Sequence, residues 1–85
     1  MIAYIFAICL PGLKKESIKK IRNLPNVVEV NAIMGDMYDI LIKVHSTKEE
    51  DLHYAIRNIR DIPSLTSTVT FPVITGQDGT EDVKK

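Results

Sequence analysis

The chain has 85 residues, and its eleven basic and eleven acidic side chains give a formal net charge of zero. This length allows one small domain, and the balanced charge argues against direct nucleic-acid binding, which usually requires a basic excess. Hydrophobic residues make up 45% of the chain, but no apolar run is long enough to span a membrane, so no membrane partner is expected. A single cysteine excludes an intrachain disulfide and fits a cytoplasmic protein.

The first predicted element is a strand over residues 2–10, where every position is apolar. A strand with one wet face alternates apolar and polar residues, so this strand is expected to be interior, with both faces covered. A chain this short has helices for one face only, and a second copy of the protein is therefore predicted to cover the other. Cys9 lies in this run and is interpreted as a small buried hydrophobe.

The second predicted element is an amphipathic helix between Leu13 and Leu24, after Pro11 and Gly12 end the strand. Apolar residues recur at helical spacing, and most positions between them are basic. We interpret the basic residues as a solvated helix face, because no aromatic side chains lie among them and the total charge is balanced.

Two apolar runs, residues 27–34 and 40–44, are predicted to pair as a β-hairpin. Gly35 tolerates a positive φ and Asp36 favours turns, so the connection is expected there. Asp39 needs a further explanation, because a carboxylate at the start of an apolar strand is costly when buried and unpaired. It is solvated, paired within the protein or available to a cationic ligand, and the pattern leaves these alternatives open.

A second amphipathic helix is predicted to open within Ser46–Glu50 and to end before Pro63. Serine and threonine there stand three residues before a glutamate, which is the spacing of a capping box. His45 and His53 lie on different elements and have no matching ligands, so no metal and no cofactor are predicted. The chain also carries no Ser-His-Asp set and no phosphate-binding loop, so no catalytic residues are assigned.

The last strand is predicted over residues 65–74. Its apolar residues and Ser67 are expected to point one way and its three threonines the other way, toward solvent. Pro72 cannot donate to a neighbouring strand, so this strand is placed at a sheet edge. We assign residues 1–76 to the domain and residues 77–85 to a polar, disordered tail.

The predicted order strand, helix, strand, strand, helix, strand is that of the ferredoxin-like α+β sandwich, with an antiparallel four-stranded sheet and two helices on one face. The first strand of this fold is interior and the last is at an edge, in agreement with residues 2–10 and Pro72. The sheet face opposite the helices is expected to pair with a second sheet.

Three segments resemble the Lrp/AsnC family of transcriptional regulators, and more closely its C-terminal effector domain, called the RAM domain. Gly35-Asp36-Met37-Tyr38-Asp39, followed by an apolar strand, is similar to the family's Gly-x-x-Tyr-Asp hairpin. Leu24-Pro25-Asn26-Val27 is similar to its helix-to-strand junction. Ile62-Pro63-Ser64-Leu65, with the threonine-rich run behind it, is similar to its last turn and strand, although serine and leucine replace glycine and valine. The family's N-terminal helix-turn-helix has no counterpart, so a stand-alone RAM domain is expected.

The resemblance implies that the domain binds a free amino acid at contacts between dimers and that binding shifts the assembly. The expected assembly is a homodimer that associates into tetramers, octamers or decamers. Asp39 would accept from the ligand's ammonium, backbone N–H groups of the hairpin would hold its carboxylate, and hydroxyls would add donors. The implied effector-binding residues are Gly35, Asp36, Met37, Tyr38, Asp39, Thr66, Ser67 and Thr68.

Such a module is expected to serve the transcriptional regulation of amino acid metabolism without contacting DNA, either by co-assembly with full-length Lrp/AsnC regulators or as an independent sensor. Two other classes stay open. One is an ACT-type small-molecule-binding regulatory domain of the same fold. The other is a dimeric α/β-barrel enzyme, which is disfavoured because the chain offers few polar groups for a catalytic pocket.

Overall fold

The computed structural model describes residues 1–73. Its strands are β1 (Ile2–Cys9), β2 (Val27–Ala32), β3 (Ile40–His45) and β4 (Leu65–Pro72), and its helices are α1 (Lys14–Arg22) and α2 (Glu49–Arg60). The predicted element order and the ferredoxin-like α+β class are confirmed. The predicted tail, residues 77–85, lies outside the described residues.

The four strands form one antiparallel sheet in the order β2-β3-β1-β4. β1 is interior, as its apolar sequence predicts, and β4 is an edge strand, as Pro72 predicts. Burial alternates along β1. Ala3, Ile5 and Ala7 are fully buried, whereas Phe6 between them is half-buried on the opposite face.

The hydrophobic core lies between the sheet and the two helices. Ile21 of α1 and Leu52 and Ile59 of α2 belong to one cluster with the buried residues of β1 and β3. Full burial of an isoleucine or leucine side chain stabilises a fold by about 1.5–3 kcal/mol. These side chains are therefore the main reason that both helices lie on the same face of the sheet.

The sheet face that the helices leave uncovered is called the open face here. Its residues follow from the strand register, because directly opposite residues of an antiparallel pair project to the same side. Its centre is aromatic, since the Phe6 ring centroid lies 5.5 Å from that of Tyr38 and 5.8 Å from that of Phe71. On the strands, the open face comprises Ile2, Tyr4, Phe6, Ile8, Glu29, Asn31, Leu41, Lys43, His45, Ser67, Val69 and Phe71.

A β-bulge changes the alternation of β4. Cys9 pairs with Leu65, whereas Ile8 pairs with Ser67, so the register shifts and Thr66 is the extra residue. Leu65 consequently packs against the core, while Ser67 lies on the open face. The prediction that these two residues share a face is therefore wrong.

The same bulge decides where the threonines of β4 lie. Thr68 is opposite Ala7 and Thr70 is opposite Ile5, so both are on the helix side of the sheet, where they are half-buried. The prediction that they face solvent is wrong. After the bulge, the apolar residues Val69 and Phe71 lie on the open face, so the threonines that alternate with them lie on the helix side.

The predicted capping box of α2 is also wrong. The helix begins at Glu49, and its N-cap residue, Lys48, makes no side-chain cap. The Ser46 hydroxyl instead accepts from the Lys48 N–H at 3.0 Å. The backbone of Ser46 is bonded to that of Met1 in both directions, and these bonds hold Ser46 outside the helix.

Positive φ angles occur at Gly12 (82°) and Asn26 (70°), and not at Gly35, where the sequence allowed one. Gly12 lies in the turn between β1 and α1. Asn26 tolerates this conformation better than most residues, and its Nδ2 donates to the His45 carbonyl at 3.1 Å while its own carbonyl accepts from the His45 N–H. These bonds join the start of β2 to the end of β3.

Candidate functional site

Asp39 lies just before β3, beside the C-terminal end of β1. Its backbone N–H donates to the Ala7 carbonyl at 2.9 Å, and its carbonyl accepts from the Ile33 N–H at 2.8 Å. Its carboxylate Oδ2 accepts from the Cys9 N–H at 3.1 Å. The last β1–β3 pair is Ala7 with Ile40, so the carboxylate supplies an acceptor to an N–H that the β3 backbone no longer reaches.

Of the alternatives that the sequence left open, internal pairing is therefore shown for one oxygen of Asp39. Within residues 1–73 no hydrogen bond reaches the other oxygen, Oδ1, and the residue is half-buried. An ionised carboxylate offers about four acceptor sites. Asp39 consequently keeps acceptor capacity for a ligand while it holds the end of β1.

The other predicted hairpin residues lie in the connection between β2 and β3. Met34 and Met37 are 97% and 62% exposed, and Gly35 and Asp36 are exposed between them. Tyr38 is half-buried with its ring against Phe6. A Cβ atom on Gly35 would lie 3.4 Å from the Tyr38 carbonyl oxygen, which is ordinary contact, so the turn does not sterically require glycine.

Thr66 lies on the other side of β1 from Asp39. Its Oγ1 donates to the Ile8 carbonyl at 3.3 Å, so Asp39 and Thr66 bind successive residues of β1 from the two neighbouring strands. Ser67 lies on the open face and Thr68 on the helix side. The structure thus brings Asp39 and Thr66 to one end of the sheet, but the three predicted hydroxyls do not converge within one chain.

Cys9 lies between these two residues. Burial raises the pKa of its thiol above the ordinary value of 9.0, the Asp39 charge raises it further, and the Lys14 ammonium acts in the opposite direction. A buried thiol of raised pKa is a poor nucleophile at neutral pH. The geometry therefore agrees with the interpretation of Cys9 as a small buried hydrophobe.

A buried hydroxyl pair near this end of the sheet was missed in the sequence. Ser17 of α1 is fully buried; its Oγ donates to the Leu13 carbonyl at 2.7 Å and lies 2.6 Å from Ser64 Oγ. The Leu10 N–H donates to the Ser64 carbonyl at 2.9 Å. Ser64, which departs from the family's glycine, thus joins the last turn to α1. The sequence signal for this pair was the position of Ser17, one helical turn before Ile21 on the buried face of α1.

A second cluster, on the open face, was also missed. A cavity of about 240 Å³ lies at the β2 side of this face. The Lys43 Nζ is 5.9 Å from the Tyr4 ring centroid, and the Glu29 Oε2 accepts from Asn31 Nδ2 at 3.3 Å. The sequence signal for this cluster was the pair of opposite charges, Glu29 and Lys43, on the two strands of the hairpin. The lining residues, called the margin cluster below, are Tyr4, Glu29, Asn31, Leu41 and Lys43.

The helices and the possible metal-binding side chains of residues 1–73 bear on membrane insertion and on metal binding. Neither helix there combines the length and apolar character needed to cross a membrane. In the same part of the chain, no three His, Cys, Asp or Glu side chains are grouped so that they could hold a metal ion.

Comparison with known proteins identifies a family for residues 12–78, which match the model of the Lrp/AsnC ligand binding domain. Among solved structures, hypothetical protein PHS023 from Pyrococcus horikoshii superposes with a TM-score of 0.78 at 28% identity, covering 89% of this chain and 94% of that one. AsnC from E. coli superposes with a TM-score of 0.77 at 26% identity, covering 88% of this chain and 51% of that one.

A curated relative is the homocitrate synthase of Sulfurisphaera tokodaii, which is 39% identical over 56 residues. This match includes 66% of the present chain but only 12% of the synthase. The chain therefore corresponds to a small segment of that enzyme and to about half of AsnC.

The family match covers most of the chain, and the fold and the three sequence segments agree with it. The chain belongs to the Lrp/AsnC ligand-binding domain family, and it is a small-molecule-binding regulatory domain.

Proposed function

We propose that this domain binds a free amino acid beside Asp39 and that binding changes its assembly with other copies or with a regulatory partner. The observation that supports this most strongly is the position of Asp39. Its carboxylate is fixed by the Cys9 N–H through Oδ2, and it lies at the base of an exposed connection whose residues resemble the family's effector hairpin. A fixed acceptor binds an ammonium without the cost of being ordered first.

The remaining groups near Asp39 suit the rest of an amino acid. Residues 35–37 are exposed, and backbone N–H groups there would hold its carboxylate, while Tyr38, Met34 and Met37 offer apolar surface to its side chain. Hydrogen bonds to charged groups contribute about 1.5–3 kcal/mol each, so two or three allow micromolar to millimolar affinity. Ser67 and Thr68 project to opposite faces, and any role of both requires a neighbouring copy.

The open face supports the proposed homodimer. Its β1 and β4 residues form a continuous apolar surface around Phe6, and Phe71 is 53% exposed within one chain. Contiguous exposed apolar surface marks interaction sites. A second copy, placed face to face, would bury the same surface of both chains in an isologous contact. Larger assemblies of such dimers would use other surfaces, including the exposed β2–β3 connection.

Two kinds of partner are proposed for the assembled domain. A full-length Lrp/AsnC regulator would present a domain of the same fold, as the superposition with AsnC shows, so the two chains would compete for the same contacts by mass action. The match to homocitrate synthase favours a second candidate, in which the domain reports an amino acid level to an enzyme. An amino acid biases either contact only when it binds one assembly more tightly than the other.

A thermal-shift screen of the twenty amino acids tests the ligand. At a hundredfold excess over its dissociation constant, a bound amino acid stabilises the fold by about 2.7 kcal/mol, or about 10–20 °C in a domain of this size. Asp39→Asn should reduce the shift, because the amide keeps an oxygen for the Cys9 N–H but loses the charge. Asp51→Asn, an exposed position on α2, is the matched control. An equal shift in Asp39→Asn and the parent would exclude the ammonium role.

A further inference from the structure

The margin cluster is separate from the Asp39 site. Glu29 and Asn31 project from β2, Leu41 and Lys43 from β3, and Tyr4 from β1, all on the open face. Lys43 is four residues beyond Asp39 on an extended strand, which separates their Cα atoms by about 13 Å at about 3.3 Å per residue. A ligand the size of an amino acid at one position leaves the other unoccupied.

Glu29 and Lys43 are directly opposite in the strand register, yet they do not pair. The Lys43 ammonium lies over the Tyr4 ring, and the Glu29 carboxylate accepts from the Asn31 amide. In the described part of the chain the two charges are not within ion-pair distance of each other. The acid and the base are thus not paired with each other, and both line the cavity of about 240 Å³.

The chemistry of this cavity defines its ligand. Drug-sized molecules occupy pockets of about 300–1,000 Å³, so a cavity of about 240 Å³ takes something smaller. One wall carries a carboxylate with an amide and another carries an ammonium, while Leu41 and Tyr4 are apolar. A small zwitterion satisfies both charged walls at once, whereas an anion or a cation alone leaves one of them unmatched.

We propose that the margin cluster is a second ligand site, which binds a small zwitterion of the amino-acid class with its ammonium at Glu29 and its carboxylate at Lys43. This inference rests on the proposed amino-acid-binding function and adds a site to it. The site lies at the β2 side of the open face and includes Tyr4 of β1, so it borders the apolar surface of β1 and β4 that is proposed for dimerisation. A ligand bound there would therefore adjoin the proposed dimer contact.

Titration calorimetry on four chains tests the proposal: the parent, Lys43→Met, Glu29→Gln and Asp39→Asn. The probes are the twenty amino acids and γ-aminobutyrate, with methylamine and acetate as ligands that carry one charge only. We expect two binding events in the parent. Lys43→Met and Glu29→Gln should each weaken one event by about tenfold or more and keep the other, whereas Asp39→Asn should keep the event that Lys43→Met weakens and lose the other. Lys20→Met and Glu50→Gln, exposed on the helices, are the matched controls and should bind as the parent does.

The outcomes separate the two proposals. A single binding event that Asp39→Asn removes and Lys43→Met leaves unchanged would keep the Asp39 site and overturn the margin site. A single event that Lys43→Met removes and Asp39→Asn leaves unchanged would keep the margin site and overturn the ligand position at Asp39. Absence of binding by every probe to the parent overturns both. If Lys43→Met changes the light-scattering mass but no ligand affinity, the cluster serves a contact between copies, and the margin site is overturned.

Discussion

At the scale of single residues, Asp39 combines a structural bond with a free acceptor oxygen. The sequence shows that a carboxylate before an apolar strand needs a partner, but it does not show which one. The partner is the N–H of Cys9, thirty residues away, and that N–H lacks a strand acceptor only because the β1–β3 pairing stops at Ala7 and Ile40. Such a partner depends on where the pairing of two strands ends, and the hydrophobic periodicity of the sequence does not determine that position.

Asp39→Ala should lower the free energy of unfolding by about 1–3 kcal/mol, the cost of leaving a buried donor unsatisfied. Asp39→Asn should cost less, because its amide oxygen still accepts from the Cys9 N–H. Urea unfolding measures both values. Asp36→Ala, in the exposed connection, is the control and should change stability by less than about 0.5 kcal/mol. Equal stability of Asp39→Ala and Asp36→Ala would remove the structural role.

The raised pKa of Cys9 predicts a loss of stability at alkaline pH. Below pH 9.0, the thiol's ordinary pKa, it is protonated in the folded and the unfolded chain, and its contribution is fully present. As the pH rises toward and through the higher folded pKa, the unfolded state loses its proton first and is favoured. Urea unfolding from about pH 8 to about pH 10 should therefore show a steeper decline for the parent than for Cys9→Ala. Parallel declines would contradict the assigned pKa direction.

At the scale of elements, apolar patterns predicted most of the fold. The unbroken run in residues 2–10 placed β1 inside the sheet and Pro72 placed β4 at its edge, because burial and the missing N–H act through the backbone of the element itself. The start of α2 and the bulge in β4 were not predictable in this way. Ser46 is held outside the helix by Met1, and Thr66 is the extra residue opposite the end of β1; both depend on distant segments.

The hydroxyl pair of Ser17 and Ser64 predicts an energetic coupling between α1 and the turn before β4. Ser17→Ala should cost about 1 kcal/mol, because the buried bond of 2.6 Å is lost. The double substitution Ser17→Ala, Ser64→Ala should cost less than the sum of the two single changes. A double-mutant cycle by urea unfolding measures the coupling. Strict additivity would show that the two hydroxyls do not stabilise one another.

At the scale of the whole molecule, the open face predicts the oligomeric state. Phe71→Asp places a charge on the apolar part of this face and should convert the proposed dimer to a monomer at micromolar concentration. Tyr54→Asp is the control, because Tyr54 on α2 is 58% exposed and Phe71 is 53% exposed, so both changes leave the core intact. Light scattering measures the mass. Equal masses for both variants would show that copies associate elsewhere.

The family followed from motifs and from the fold, whereas the geometry around the proposed ligand-binding residues was only partly predictable. The sequence placed the three threonines of β4 in one row, but the bulge makes Thr66 an extra residue and leaves Thr68 and Thr70 on the helix side of the sheet. It also gave no sign that Glu29 and Lys43, which are directly opposite on neighbouring strands, do not pair and both line a cavity. Both features arise from side-chain positions that only the folded sheet defines.

The central claim is that an amino acid bound beside Asp39 changes how this domain assembles. Native mass spectrometry of the parent and of Asp39→Asn, each with and without the amino acid found in the thermal screen, tests it most directly. We expect the amino acid to shift the distribution of the parent's oligomers and to leave that of Asp39→Asn unchanged. Identical distributions of the parent with and without a bound amino acid would contradict the claim.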